Sequence, residues 1–266
     1  MEQVATPFDC DGAPRPVMIR VADCPSLLTY PPHSHHRAEL VYVRSGTVCV
    51  TIDGAMFIVP SQCAILIAPD TVHEVRMLSD AHLLTTYLAV PRDKPGLACG
   101  NLLVSDLLRE LMHAAVDLPV AYDRGGREER IMDLIAEEVA WLTAQPDTLT
   151  LQTPVPTNPR LVRLCREILR ELDRGWTIDD AAEVAGMGRR TFTRAFKREV
   201  GISFNTWRSR ARLNAAVCRL KAGASITSVA LEAGYSNPSA FATMFKRCLG
   251  VPPSHFQIAR TVRLAS

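Results

Sequence analysis

The chain has 266 residues, 47% of them hydrophobic and 22% charged, with a formal net charge of +2. That balance excludes wholesale disorder, and the length allows one or two domains with cores that need no disulfide staples. No run of about 18 apolar residues occurs, and the opening MEQVATPFDC lacks a basic and then apolar leader, so neither a membrane span nor a secretory signal is expected. The eight cysteines, at 10, 24, 49, 63, 99, 165, 218 and 248, form no CxxC pair and read as reduced cytoplasmic thiols.

Taken in chain order, the first long segment reads as strands. Residues 17–90 hold short apolar runs at 40–43, 47–52, 56–59 and 63–67. Turn signals split them at Ser45-Gly46, Asp53-Gly54, Pro60-Ser61 and Pro69-Asp70. Many short strands at this spacing predict a small sandwich or barrel. Residues 91–101 are rich in Pro and Gly and read as a loop. Helices are expected over 102–116 and over 127–143, where Ile131, Leu134, Ile135, Val139 and Leu142 keep a helical period. In the first of these, Leu103, Leu107, Leu108 and Leu111 form an apolar stripe, suited to the barrel or to a partner subunit. Residues 145–159 carry four prolines among polar residues and read as a linker. The expected division is therefore a barrel over 1–100, a helical packing or dimerisation segment over 101–144, a linker over 145–159, and an all-helical domain over 160–266.

The net charge conceals a division. Residues 1–156 carry 11 Lys and Arg against 20 Asp and Glu, a net −9, whereas residues 157–266 carry 19 against 8, a net +11. A basic domain of this size is the electrostatic footprint of a polyanion binder.

The basic half repeats itself. Ile178-x3-Ala182-x3-Gly186 recurs 48 residues later as Ile226-x3-Ala230-x3-Gly234. Phe192-x3-Phe196-Lys197-Arg198 recurs 49 residues later as Phe241-x3-Phe245-Lys246-Arg247. Thr177 and Ser225 can cap a short helix, Gly186 and Gly234 allow a left-handed turn, and the paired Phe residues mark the buried face of a second helix. This is a helix-turn-helix pattern present twice. Opposite the Phe face of the first copy lie Arg190, Thr193, Arg194 and Lys197, with Arg189 beside them. In the second copy Asn237 and Pro238 open the helix, and Ser239, Ala240 and Thr243 point outward, with Lys246 and Arg247 in its last turns. Arg can fork onto guanine in the major groove, while neighbouring Lys and Arg suit phosphate.

The acidic half carries a different chemistry. Residues 33–46, HSHHRAELVYVRSG, place His33, His35 and Glu39 at one parity if the segment is a strand, and His73 in PDTVH supplies a fourth ligand. Three imidazoles and a carboxylate suit a divalent first-row metal such as Zn, Ni, Mn or Fe with an open position. Without metal, the same four residues would make a polar floor for an anionic or hydroxylated ligand. His36 is expected to face away.

On these residues, the basic half closely resembles the DNA-binding domain of the AraC/XylS family of bacterial transcription regulators. The resemblance covers about 160–257 and is most specific over 230–256, ALEAGYSNPSAFATMFKRCLGVPPSHF. It implies seven helices, with two helix-turn-helix units joined by a long helix over 204–222. It also implies that Arg190, Thr193 and Arg194 of one unit, and Ser239, Ala240 and Thr243 of the other, enter the major groove. The family often has Arg where this chain has Thr243. Residues 33–46 and 67–73 resemble the two motifs of the cupin superfamily, with Asp70 in place of the usual glycine. That resemblance implies a small β-barrel over about 15–90, the sensor domain that precedes many AraC-type domains.

The expected fold is thus two-domain, a small cupin-like β-barrel plus helices followed by an all-α domain with two helix-turn-helix units. The expected function is a cytoplasmic, nucleoid-associated transcription regulator that senses a small molecule or metal. Its expected partners are double-stranded DNA, a second copy in a homodimer, and RNA polymerase if it activates, with no membrane. One alternative is a cupin metalloenzyme, a dioxygenase or isomerase, with an accessory DNA-binding domain, but an enzyme has no need of a duplicated helix-turn-helix. Another is a module binding RNA or acidic protein, which would want exposed aromatics. The four Phe residues of the repeat sit at core spacing instead.

Overall fold

A computed structural model of the chain describes residues 3–90, 97–102, 104–144, 153–221, 223–249 and 251–256. Turn chemistry sets where the first half reverses. Asp53 and Gly54, both at positive φ, close the hairpin between β5 (Thr47–Ile52) and β6 (Ala55–Pro60), whose residues pair in register from Thr47 with Pro60 to Ile52 with Ala55. The other strands are β1 (Gln3–Val4), β2 (Val17–Cys24), β3 (Leu28–His33), β4 (Ala38–Ser45), β7 (Cys63–Ile67), β8 (His73–Met77), β9 (Ala81–Leu88), β10 (Gly100–Leu102) and β11 (Thr153–Pro154). They form two facing sheets. One runs β1-β3-β8-β5-β6-β11 and the other β10-β7-β4-β9-β2.

Side-chain parity divides each strand between two cores. Val41, Val43, Val48, Val50, Val75 and Met77 point between the sheets. On the outer face of the second sheet, Leu40, Tyr42, Ala64 and Leu66 meet Leu108 and Met112 of α1 (Asp106–Ala115) and Ile135 and Val139 of α2 (Arg127–Thr143). On the outer face of the first, Cys49, Met56 and Ile58 join the core of the following helices. Strands buried on both faces explain why the sequence shows apolar runs rather than alternation. Helix α1 begins at Asp106, later than the expected 102, because β10 takes residues 100–102 into the sheet and Ser105 caps the helix through the amide of Leu108 at 3.0 Å. Of the expected apolar stripe, Leu108 is buried and Leu107 is exposed. Leu103 lies outside the described residues.

The expected linker is partly built into the fold. Thr153 and Pro154 form β11, which pairs with β6, and Val155 donates its amide to the Gly54 carbonyl at 2.9 Å. A proline fits there because an edge strand does not need its missing donor. Trp207, fully buried, donates its indole N–H to the Pro154 carbonyl at 2.8 Å. Residues 145–152 lie outside the described residues.

The basic half folds as α3 (Pro159–Arg170), α4 (Ile178–Val184), α5 (Arg189–Val200), α6 (Phe204–Lys221), α7 (Ile226–Glu232) and α8 (Pro238–Leu249). In place of a seventh α-helix, the described residues end on a 3-10 turn, Pro253–Phe256. Thr177 and Asp180 form a reciprocal capping box on α4, and Ser225 caps α7. The second unit has its own core of Leu213, Val217, Leu220, Phe241 and Phe245. The first shares its core with the outer face of the sheet. Among the described residues, no helix is long and apolar enough to cross a membrane, and no cysteine is in a disulfide.

Candidate metal centre and nucleic-acid interface

The residues 33–39 are not one strand. His33 ends β3, His35 lies in the connection, and Glu39 is on β4 of the opposite sheet. The chain crosses between sheets here, and that crossing brings the side chains together at one end of the barrel. His73, at the start of β8, pairs with His33 across the first sheet. One ligand atom from each of His33, His35, Glu39 and His73 falls within 4.8 Å of the others. The Nε2 atoms of His35 and His73 stand 3.1 and 3.0 Å from the same Glu39 oxygen. His36 turns outward toward Asp70, which occupies a left-handed conformation, φ +59°, at the position where the cupin motif has glycine. Asp tolerates that conformation better than most residues.

Second contacts orient the imidazoles. Each Nδ1 lies 2.8 Å from a backbone carbonyl, that of Pro31 for His33, Arg37 for His35 and Thr71 for His73. With the proton on Nδ1, Nε2 presents a lone pair to the cluster, the arrangement that metal-ligating histidines adopt. Burial holds the His33 pKa down. For His35 burial also disfavours the charge, but Cys10 and Glu39 outweigh it and raise its pKa. Burial would raise the Glu39 pKa, but the hydrogen bonds and charges of His35 and His73 hold it low, so the carboxylate is ionised. An ionised carboxylate facing convergent imidazole nitrogens at a nearly dry position is a donor set that fits a divalent cation.

The surroundings contain residues that no sequence pattern marks. Cys10, Met18 and Tyr87 pack together beside His35, and the His35 and Tyr87 rings meet edge-on at 5.5 Å. The buried Arg37 guanidinium donates to the carbonyls of Ala13, Arg15 and Pro16, which holds the N-terminal segment against the barrel. The space beside the cluster, lined by Phe8, Arg20, Tyr30, Glu39 and Tyr87 among others, is about 30 Å³, enough for one or two waters.

On the basic half, Arg190, Thr193, Arg194 and Lys197 form an exposed face of α5, while Phe192 and Phe196 are buried. Arg189, also exposed, forms an ion pair with Asp179 at 2.8 Å. The Thr193 hydroxyl donates to the Arg189 carbonyl, so it offers a partner its methyl and its lone pairs. On α8, Ser239, Ala240, Thr243, Lys246 and Arg247 are exposed. Thr243 repeats the bond of Thr193, donating to the Ser239 carbonyl at 2.9 Å. Asn237 uses its carboxamide oxygen as the helix cap, accepting the Ser239 amide at 2.7 Å, which leaves its amide group for outside contacts. Between the units stands Arg212 of α6, buried, donating to the carbonyls of Leu172 and Arg174 at 2.8 Å each. Its neighbours are far away in sequence, so only the folded chain reveals it.

Comparisons agree with both halves. Residues 25–88 match the family model of the cupin domain, and residues 181–258 match that of a helix-turn-helix domain. The HTH-type transcriptional regulator NimR of Escherichia coli strain K12 is 28% identical over 234 residues, covering 88% of this chain and 84% of that protein. A putative AraC-like transcription regulator of Streptomyces lividans is 36% identical over 89 residues, 33% of this chain and 29% of its own length. Among solved structures, ToxT from Vibrio cholerae aligns over 91% of this chain and 98% of that one, at 13% identity and a TM-score of 0.36.

Proposed function

We infer how this chain works from the group to which it belongs, the AraC-type transcription regulators with a cupin domain ahead of their helix-turn-helix units. It is a DNA-binding regulator, and its relatives are regulators rather than enzymes. The observation that carries the DNA reading is the pair of helices α5 and α8, each with a buried Phe pair on one side and an exposed polar face on the other. Arg194 lies mid-helix and can fork onto a guanine edge, whereas Lys197, one turn on, suits phosphate.

Selection from a random duplex pool with the full-length chain should yield a defined site. Binding to it should weaken steeply with salt as counterions are released. Arg194→Ala should then cost about 1–3 kcal/mol of discrimination at particular base pairs. Lys197→Ala should weaken all sequences about equally and flatten the salt slope. Equal, sequence-independent losses from both variants would show that Arg194 is not a base reader.

The cupin half acts as the sensor. His33, His35 and His73 through Nε2, and Glu39 through its carboxylate, would hold one divalent first-row ion. Such an ion supplies a Lewis-acid position at which an exchangeable oxygen ligand is bound. The Nδ1 contacts to the Pro31, Arg37 and Thr71 carbonyls keep the three rings aimed at it.

A second copy of the chain would dock on α1 and α2. Leu107, Leu134 and Trp141 are 54%, 45% and 59% exposed there, and Leu134 and Trp141 lie seven residues apart on one face of α2. Leu134→Glu should shift sedimentation from dimer toward monomer while leaving the chain folded. An unchanged sedimentation profile would place the dimer interface elsewhere. In the cytoplasm, on the nucleoid, the dimer would meet RNA polymerase wherever it activates, and run-off transcription with and without the protein reads the sign.

A further inference from the structure

The helices α5 and α8 follow one plan but do not offer a duplex the same chemistry. With the Phe pairs as fixed points, the 49-residue offset places Arg190, Thr191 and Arg194 of α5 at the positions of Ser239, Ala240 and Thr243 of α8. Both arginines that could fork onto guanine are therefore missing from α8, and its first two turns, residues 238–244, hold no charged side chain. Ala240 and Thr243 are exposed and three residues apart, so they are neighbours on one helix face. Ala240 has a methyl group and nothing else to present. The Thr243 hydroxyl gives its one proton to the Ser239 carbonyl at 2.9 Å, a bond that fixes its rotamer. With that proton committed, Thr243 has no donor for guanine O6 or N7, and it meets a groove with its methyl and its lone pairs. Ser239 beside them both donates and accepts, so its hydroxyl suits any base. Lys246 and Arg247, the first charges on the helix, come in its last turns and suit phosphate.

Neighbouring methyl groups are complementary to the C5-methyl of thymine, the apolar feature of the major-groove edge. Set against guanine instead, the same methyls would strip water from O6 and N7 and return no hydrogen bond, which is unfavourable. We propose that the operator of this chain has two chemically different boxes. Arg194 of α5 reads one through the acceptors of guanine, and Ala240 and Thr243 of α8 read the other through thymine methyl groups. Specificity in the second box comes from burying methyls and rejecting guanine, while Lys246 and Arg247 hold the helix on the phosphates. This rests on the regulator reading, in which α5 and α8 enter major grooves, and names the bases that each takes.

The test uses the full-length chain and the duplex it selects from a random pool, with base analogues introduced one position at a time. 7-Deazaguanine lacks the N7 acceptor and should weaken binding in one box. The box whose response is lost in Arg194→Ala belongs to α5, and the other to α8. Deoxyuridine in place of thymine removes only the 5-methyl group. In the α8 box it should weaken binding about three- to fivefold per position, the value of one buried methyl. Thr243→Ser keeps the hydroxyl and drops the methyl, so it should bind thymine and deoxyuridine equally at the position that Thr243 touches. Ala240→Gly should do the same at its own. Cytosine at such a position should bind poorly, and 5-methylcytosine should recover a similar factor. Circular dichroism confirms that each variant is folded, and Thr243→Ser and Ala240→Gly report separately should one fail. Indifference to deoxyuridine at every thymine, a deoxyuridine response that persists unchanged in both variants, or a guanine response that Arg194→Ala leaves intact overturns the proposal. A chain that selects no duplex overturns the regulator reading and this proposal together, whereas a selected site indifferent to deoxyuridine overturns this proposal alone.

Discussion

His35→Ala should strip the protein of metal, while His36→Ala leaves the content at one ion per chain. The two residues are adjacent, but His35 is buried with Nε2 in the cluster and His36 is exposed beside Asp70. Loss of one of four ligands should reduce affinity at least about 100-fold, beyond the 10–100-fold typical of an outer partner. Glu39→Gln should also weaken binding, since it removes the single negative charge facing the ion. Every ligating Nε2 must be free of its proton, so metal binding releases protons and affinity falls with pH. Occupancy should therefore fall as the pH is lowered. Elemental analysis after incubation with Zn, Ni, Mn and Fe(II) salts and desalting reads each outcome. A protein that stays metal-free with all four ions would leave the cluster as a network of hydrogen-bonded side chains.

Arg212→Ala should destabilise the chain by about 1–3 kcal/mol, because two part-buried hydrogen bonds from its guanidinium to the Leu172 and Arg174 carbonyls are lost at about 0.5–1.5 kcal/mol each. DNA affinity should fall with it, since Arg212 ties the loop of the first unit to the helix that carries the second. Arg212→Lys should restore only part of the loss, because an ammonium cannot fork to two diverging carbonyls. The same junction predicts a contrast between two glycines. Gly186 and Gly234 both have positive φ, which costs an alanine about 1–2 kcal/mol. A Cβ at Gly186 meets nothing closer than Arg160 Nη1 at 4.0 Å. A Cβ at Gly234 would lie 2.6 Å from the Asp173 carbonyl oxygen and 2.9 Å from Arg212 Nη2. Gly234→Ala should therefore lower the urea midpoint clearly more than Gly186→Ala, the crowding adding about 1–3 kcal/mol. Equal midpoints for the two glycine variants, or an Arg212→Ala change within about 0.5 kcal/mol, would contradict this account.

Local chemistry is legible in the sequence by itself. The turn pairs Asp53-Gly54 and Pro60-Ser61 bound β5, β6 and β7 close to the ends of the apolar runs, because turn residues act through their own backbone preferences. The repeat from Ile178 to Lys246 discloses two helix-turn-helix units, since caps and Phe spacing are short-range features that survive duplication. The four cluster residues can be named for the same reason, although the parity argument misplaces His33, His35 and Glu39 on one strand. Their convergence comes from the crossing of the chain between two sheets at 34–37.

Only the tertiary structure decides which partners meet when they lie far apart in sequence. No pattern around 154 says that β11 pairs with β6, about a hundred residues earlier, or that Trp207 reaches back to its carbonyl. The proline-rich segment reads as a linker because prolines exclude helix and interior strand alike, and only the open edge of β6 turns one into a strand residue. Arg212, Arg37 and Arg76 are ordinary arginines in sequence. Their burial follows from packing between elements, and a side chain's surroundings are set by every chain segment that meets there rather than by its neighbours along the backbone.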